Sequence, residues 1–293
     1  MDEWHVGDPA DWGDSVGVPD IPYMGYLQDE EDEERPPRVS KSDNLRREAW
    51  NLRENGRLQE ALDTINDALE YSNHWRILNV KAIILEDLNK YDEALRFYDM
   101  ALSQANAQFV RDNKARLLER MAWQDRYSGN LQEALDKVNM ALKLTGDDDD
   151  RCAFFRTKAD ILALMGKRRE TYVCYMLADR QYDKVDEFER QSRILESAKN
   201  TLVCIAGRRY YGYTAPTDEG AIVELVKEPE NDHDSDAIRV EFQGKIVGYV
   251  ANSPHTMIDE AKSASEIQNQ FEERSRARIL FVFMRDYLIA ELL

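Results

Sequence analysis

The stretch GRRYYGYTAPTDEGAIVELVKEPENDHDSDAIRVEFQGKIVGYV, residues 207–250, decides the architecture of the last third of the chain. Three short runs rich in β-branched residues, AIVELV, AIRVEF and KIVGYV, are each bounded by turn residues, a pattern that predicts strands. The acidic segment EPENDHDSD separates the first two, and Gln243-Gly244 separates the second from the third. The reading is a small, mostly β domain. At its front Arg208 and Arg209 precede Tyr210 and Tyr211, so stackable rings stand beside fixed positive charge. That combination suits an unpaired nucleic-acid strand, because every base has a π-face and every linkage a phosphate.

Several elements of this region, in order, carry a family resemblance. They are Gly207 with Arg209-Tyr210-Tyr211, Leu225 through Glu228-Pro229, Asn231-x-x-Asp234-x-x-Ala237-Ile238-x-Val240, and Val247-Gly248-Tyr249. Together they resemble the HIRAN domain, a small barrel related to the OB-fold, over roughly residues 201–293. In helicase-borne members that domain captures the free 3′ end of single-stranded DNA. The resemblance implies that Arg209 holds phosphate, that Tyr210 and Tyr211 stack on bases, and that Asp234 accepts a hydrogen bond from the terminal hydroxyl. His233 and Tyr249 stand where helicase-type members tend to have Tyr and His, and both join the candidate set. Asn252 replaces a basic residue of the pattern, which removes one phosphate contact.

The same residues have structural readings. If Tyr210 and Tyr211 alternate along a strand, one ring faces the core and one the solvent. Asp234 can bond the backbone of its own turn, and that role is compatible with ligand contact. The spacing Asp232-x-Asp234-x-Asp236 suggests a calcium loop, but Ala237 replaces the required glycine and Gln243 stands in place of the bidentate Glu.

Upstream, one pattern recurs between residues 42 and 185. The first copy has Leu45, Ala49, Leu52, Gly56, Leu58, Ala61, Ile65 and Ala68, and the second Leu78, Ala82, Leu85, Asn89, Tyr91, Ala94, Tyr98 and Ala101. The third has Leu118, Ala122, Gly129, Leu131, Ala134, Val138 and Ala141, with Asp125 breaking the apolar series. The fourth has Phe155, Ala159, Leu162, Gly166, Thr171, Tyr175 and Ala178. Alanines at fixed places let antiparallel helices approach closely, and Gly or Asn turns the chain between them. The pattern resembles the tetratricopeptide repeat (TPR), which implies an α-solenoid whose groove grips a protein or peptide. The carboxylate-clamp version that holds chaperone tails is not implied, because the first-helix positions where it needs Lys, Asn and Arg hold Arg46 and Trp50 in the first copy and Val80 in the second. The run Asp147 to Asp150 reads as a solvated loop, and Ser253-Pro254 as a helix start ahead of His255. His74 reads as a packing residue at a repeat junction.

The fold class is therefore multidomain, α and β: a TPR-like solenoid followed by a small OB-like barrel. Residues 1–41 form an acidic, aromatic-containing extension, 42–185 four repeats, 186–200 a capping helix with Phe188, Leu195, Ala198 and Leu202 on one face, and 201–293 the barrel. In the extension Trp4, Trp12, Tyr23 and Tyr26 are spaced by Gly, Pro and Asp with no helical or strand period, so the expectation is a strip that docks on the solenoid or on a partner.

Charge restricts the function classes. The net charge is −18; residues 1–44 hold 13 acids against 3 bases, 45–200 hold 28 against 26, and 201–293 hold 16 against 10. Coating a duplex needs many released counterions, which this chain does not supply. End capture needs only a few phosphate contacts. Cys152, Cys174 and Cys204 lie far apart, and His5, His74, His233 and His255 lack ligand spacing, so neither zinc nor a disulfide framework is expected. The acidic start MDEWHV and the short apolar run at 279–284 predict a soluble, cytoplasmic protein. Phosphate loops, H-E-x-x-H and the nucleophile elbow are missing from the sequence, so no cofactor and no catalysis are expected. Two readings remain: an adaptor that joins a protein partner to a DNA end, and a scaffold that binds only polypeptide.

Overall fold

The computed structural model describes residues 40–293. Nine helices come first among them: α1 (Lys41–Glu54), α2 (Leu58–Tyr71), α3 (Trp75–Asp87), α4 (Tyr91–Gln104), α5 (Gln108–Tyr127), α6 (Leu131–Leu144), α7 (Asp148–Leu164), α8 (Arg168–Ala178) and α9 (Tyr182–Ser197). None of the described helices is long and apolar enough to cross a membrane. The expected strip, Trp4 to Leu27, lies outside the described residues.

Each helix pair packs through the small residues of the repeat. Ala49, Ala61, Ala82, Ala94, Ala122, Ala134 and Ala159 have no exposed surface, so backbones meet where a larger side chain would hold them apart. Between paired helices Gly56, Asn89, Gly129 and Gly166 take left-handed φ values of 74°, 58°, 83° and 74°, which ends one helix and starts the next. Successive pairs are joined by polar rungs 34 residues apart. Arg116 donates to Asp150 (2.8 Å), Arg126 to Asp160 (2.8 Å) and the Trp123 indole to Thr157 (3.1 Å). Asp125, out of place in the apolar pattern, accepts from Lys137 on the neighbouring helix.

Asp147–Asp150 is no loop. Asp147 caps α7 by accepting from the Asp150 amide (2.9 Å), and Asp148, Asp149 and Asp150 form the first turn, where the helix dipole favours negative charge. His74 likewise caps α3, its Nδ1 accepting from the Arg76 amide (3.3 Å).

The barrel follows α9. Its strands are β1 (Leu202–Ala206), β2 (Ile222–Lys227), β3 (Ile238–Phe242), β4 (Lys245–Val250), β5 (Ala261–Lys262), β6 (Arg274–Phe283) and β7 (Tyr287–Leu292), with the single turn α10 (Ala264–Ile267) after β5. The order β4-β3-β2-β6-β7-β1 closes because β1 also pairs with β4, and β5 adds alongside β1 in parallel. At the seam Gly248 passes so close to β1 that a Cβ there would lie 2.5 Å from the Ala206 carbonyl oxygen. The glycine of Val247-Gly248-Tyr249 is thus a closure residue. Ser253-Pro254 starts no helix; the segment makes a tight turn, Thr256 amide to Ser253 carbonyl (2.9 Å), because the chain must return at once to lay β5 beside β1. The capped helix start lies later, at Ser263, with Glu266 completing a capping box.

Leu202 belongs to β1 rather than to the capping helix, yet it shares a core with it. Phe188 and Leu195 of α9 and Met176 of α8 form one apolar cluster with Leu202, Cys204, Phe281, Phe283 and Ile289 of the barrel. Phe188 stacks on Phe283 (5.1 Å between centroids, 19° between planes), Arg169 pairs with Glu260, and Arg168 donates to the Tyr287 hydroxyl (3.0 Å). A solenoid end cannot bury its last apolar face alone, and here the barrel covers it. Phe188→Ala is predicted to cost about 3 kcal/mol, the usual range for emptying an aromatic site in a core. Denaturant titration followed by tryptophan fluorescence and far-UV circular dichroism should show a lowered midpoint; an unshifted midpoint would contradict a shared core.

Candidate nucleic-acid interface

Beyond Ala206 the chain leaves β1 and coils into one tight turn instead of continuing as a strand. The Tyr210 amide donates to the Gly207 carbonyl (2.9 Å), and the Tyr211 and Tyr213 amides to the Arg208 carbonyl (3.2 and 2.9 Å). Gly212 and Tyr213 both have positive φ, 63° and 57°, and reverse the chain. The strand alternation expected for Tyr210 and Tyr211 is therefore replaced by a coiled display of rings. Tyr210 is 91% exposed. Tyr211 is half-buried, its ring over Gly207 and 6.3 Å from that of Tyr249 on β4. Arg209 is exposed and its Nε donates to the Tyr213 hydroxyl (3.1 Å), while the Arg208 guanidinium lies 5.7 Å from the centre of the Tyr213 ring. Neither arginine forms an ion pair among the described residues, and Arg208 Nε is buried with no hydrogen-bond partner among them.

The motif turn meets this loop through Glu228, at the end of β2. Its carboxylate accepts from Asn231 Nδ2 (2.9 Å), the Tyr249 hydroxyl (3.1 Å) and Arg239 on β3. Burial by itself would raise the Glu228 carboxyl, but these three donors outweigh it and hold the group below its ordinary value. Burial, then the Glu228 charge, pushes the Tyr249 hydroxyl up to about 12, so it stays a donor at neutral pH. Asn231 also folds the turn, accepting from the amides of His233 (3.0 Å) and Asp234 (3.3 Å). Asp234 accepts from the Asp236 amide (2.9 Å) through one oxygen and from Asn252 Nδ2 (2.9 Å) through the other. Asn252 is held in turn by Ser265, whose amide and hydroxyl donate to its Oδ1.

Of the candidate residues, Tyr211 and Tyr249 are neighbours, and Glu228 and Asn231 link them to the turn that carries His233 and Asp234. Arg209 and Tyr210 sit on the same coil as Tyr211 but face solvent. The His233 side chain is exposed, with only its backbone tied to the turn. Two contributors carried no assigned role in the sequence reading: Tyr213, which engages both arginines, and Glu228, which organises the floor. Their signals were the third tyrosine of RRYYGY and the acid of Glu228-Pro229. Arg239, the cation of the floor, is neutralised by Glu228 and Glu241. Burial pushes the Cys174 and Cys204 thiols up to about 11, so neither is an activated nucleophile.

The class this architecture defines is a TPR-type solenoid that ends in a HIRAN-type barrel. Residues 199–279 match the HIRAN domain family. A stretch of 76 residues is 36% identical to the Tetratricopeptide repeat protein 36 homolog of Drosophila pseudoobscura pseudoobscura, covering 26% of this chain and 37% of that protein. The chain thus spans little more than a third of the length of the curated relative it matches. Solved structures with similarity include a MamA titled MSR-1 (14% identity, TM-score 0.38, 52% of this chain and 82% of that one). BtubC from P. vanneervenii is another (17% identity, TM-score 0.37, 50% and 64%).

The lowered Glu228 carboxyl has a consequence for pH dependence. A depressed folded-state value contributes stability that is complete above the ordinary value of 4.5 and is lost as the pH falls through the folded value. The stability difference between the native protein and Glu228→Gln should be largest at neutral pH and shrink as the pH drops below that value. Denaturant titrations across that range check it; a constant difference would contradict the assignment.

Proposed function

We propose that the chain is a non-catalytic adaptor whose solenoid holds a polypeptide partner and whose barrel captures the 3′ end of single-stranded DNA. The observation that carries this reading is the exposed Tyr210 ring on the same coil as Arg208 and Arg209, two arginines with no ion pair among the described residues. Tyr210 stacks on a base at the mouth, and Tyr211, backed by Tyr249, takes the next one. Arg209, oriented by Tyr213, holds a phosphate. Asp234 lies in the motif turn, where it accepts from a terminal hydroxyl while Asn252 fixes its carboxylate. His233 lies in the same turn with its side chain exposed and contacts the ligand there. With so few cations, affinity comes from stacking, about 1–3 kcal/mol per base, and depends only weakly on salt.

Two features favour the second reading, a scaffold that binds only polypeptide. Arg239 is already neutralised by two carboxylates, and Asn252 stands where the family pattern has a cation.

Fluorescence polarisation of a short labelled single-stranded oligonucleotide with a free 3′ hydroxyl, at low salt, separates the two. Saturable binding supports end capture, as does a loss of about tenfold or more in Tyr210→Ala and Asp234→Ala. Binding of a 3′-blocked strand as tightly as a free one contradicts end recognition. No binding at high protein concentration favours the scaffold.

A further inference from the structure

The solenoid holds a groove of about 500 Å³ lined by α1, α3 and α5, and its chemistry differs from the rest of this acidic protein. None of the described residues that line it is acidic. Three guanidinium groups do line it, Arg46, Arg47 and Arg76. Arg47 and Arg76 make no ion pair among the described residues. Among the described residues Arg46 pairs with Asp43, one turn back on its own helix at 3.5 Å, a pair of small energetic weight. Between the arginines lie the Asn79 and Asn113 amides, 3.4 Å apart, and the apolar surfaces of Trp50 and Phe109. Phe109 is 50% exposed although it belongs to a helix in the middle of the stack.

We infer that this groove takes an acidic polypeptide segment that carries aromatic or large aliphatic side chains, an inference that rests on the groove being the polypeptide site proposed above. Exposed guanidiniums that no carboxylate among the described residues engages are free to donate charge-assisted hydrogen bonds to carboxylates brought to them. The exposed Asn51 amide, also in the lining, has both donor and acceptor capacity and matches the backbone of an extended peptide. Trp50 and Phe109 offer the buried aromatic contacts that anchor such segments.

The neighbouring surface argues for polypeptide over nucleic acid. Further along the same helices the cations are already matched: Arg53 with Asp87, Arg120 with Glu86 and Arg116 with Asp150. A nucleic-acid strand carries a charge at every linkage and would run across those carboxylates. A polypeptide can place its acids opposite Arg46, Arg47 and Arg76 and be neutral or basic beyond them.

The test is selection of a random twelve-residue peptide library, displayed with both ends blocked, against the immobilised full chain. Enriched sequences are expected to combine several Asp or Glu with an aromatic or Leu. A synthetic peptide of the enriched sequence should bind about tenfold more weakly to Arg46→Glu/Arg76→Glu, and to the milder Arg47→Gln/Arg76→Gln should that reversal impair folding. Its Asn/Gln analogue should also bind more weakly. Enriched peptides that are neutral or basic, yet lost on Trp50→Ala, would overturn the acidic specificity while leaving the polypeptide site standing. No enrichment, or displacement of the selected peptide by an oligothymidylate strand, would overturn both.

Discussion

The strand that the rest of the structure depends on is β1, five residues hydrogen-bonded on both edges. One edge pairs with β7; the other pairs with β5 and then with β4, which closes the barrel. Its side chains divide between two cores. Val203 and Ile205 fill the barrel interior, while Leu202 and Cys204 join the cluster shared with α8 and α9. A single short strand therefore closes one domain and fastens it to the other. The Arg-Tyr-Tyr coil starts where β1 ends, at the seam Gly248 keeps tight, so its position is set by both attachments.

Electrostatics give the molecule its second organising rule. Many described cations are matched by a carboxylate, along the solenoid rungs and across β2, β3 and β6. Two places bring arginines that form no ion pair among the described residues together with exposed aromatic surface: the coil with Arg208 and Arg209, and the groove with Arg47 and Arg76. One offers an open ring on a protruding coil and suits a flat base. The other is a trough between helices and suits an extended segment. Two separate recognition surfaces on one joined scaffold are what the proposed adaptor requires.

Much of this was legible in the sequence, because the signals are local and periodic. The alanines of the repeats are those that end fully buried, and AIVELV, AIRVEF and KIVGYV are β2, β3 and β4 with their flanks. What escaped depends on geometry that neither period nor composition marks. Asp147 reads as loop until the α7 amides it caps are in view. Ser253-Pro254 looks like a helix start because the need to return to β1 is not written nearby. Arg209-Tyr210-Tyr211 continues a strand by composition, but Gly212 and the left-handed Tyr213 coil it. Glu228 shows its role only once Asn231, Arg239 and Tyr249, from three different elements, converge on one carboxylate.

The central claim is that the coil 207–213 and the turn 231–236 form one surface that receives an unpaired strand terminus. Backbone amide shifts of the isotopically labelled full chain, followed while a short oligonucleotide with a free 3′ hydroxyl is added, address it most directly. The account predicts saturable shifts concentrated in those two segments and at Tyr249 and Asn252, with the solenoid helices unmoved. Saturating shifts confined to α1, α3 and α5, or none in the coil at saturating oligonucleotide, would contradict it.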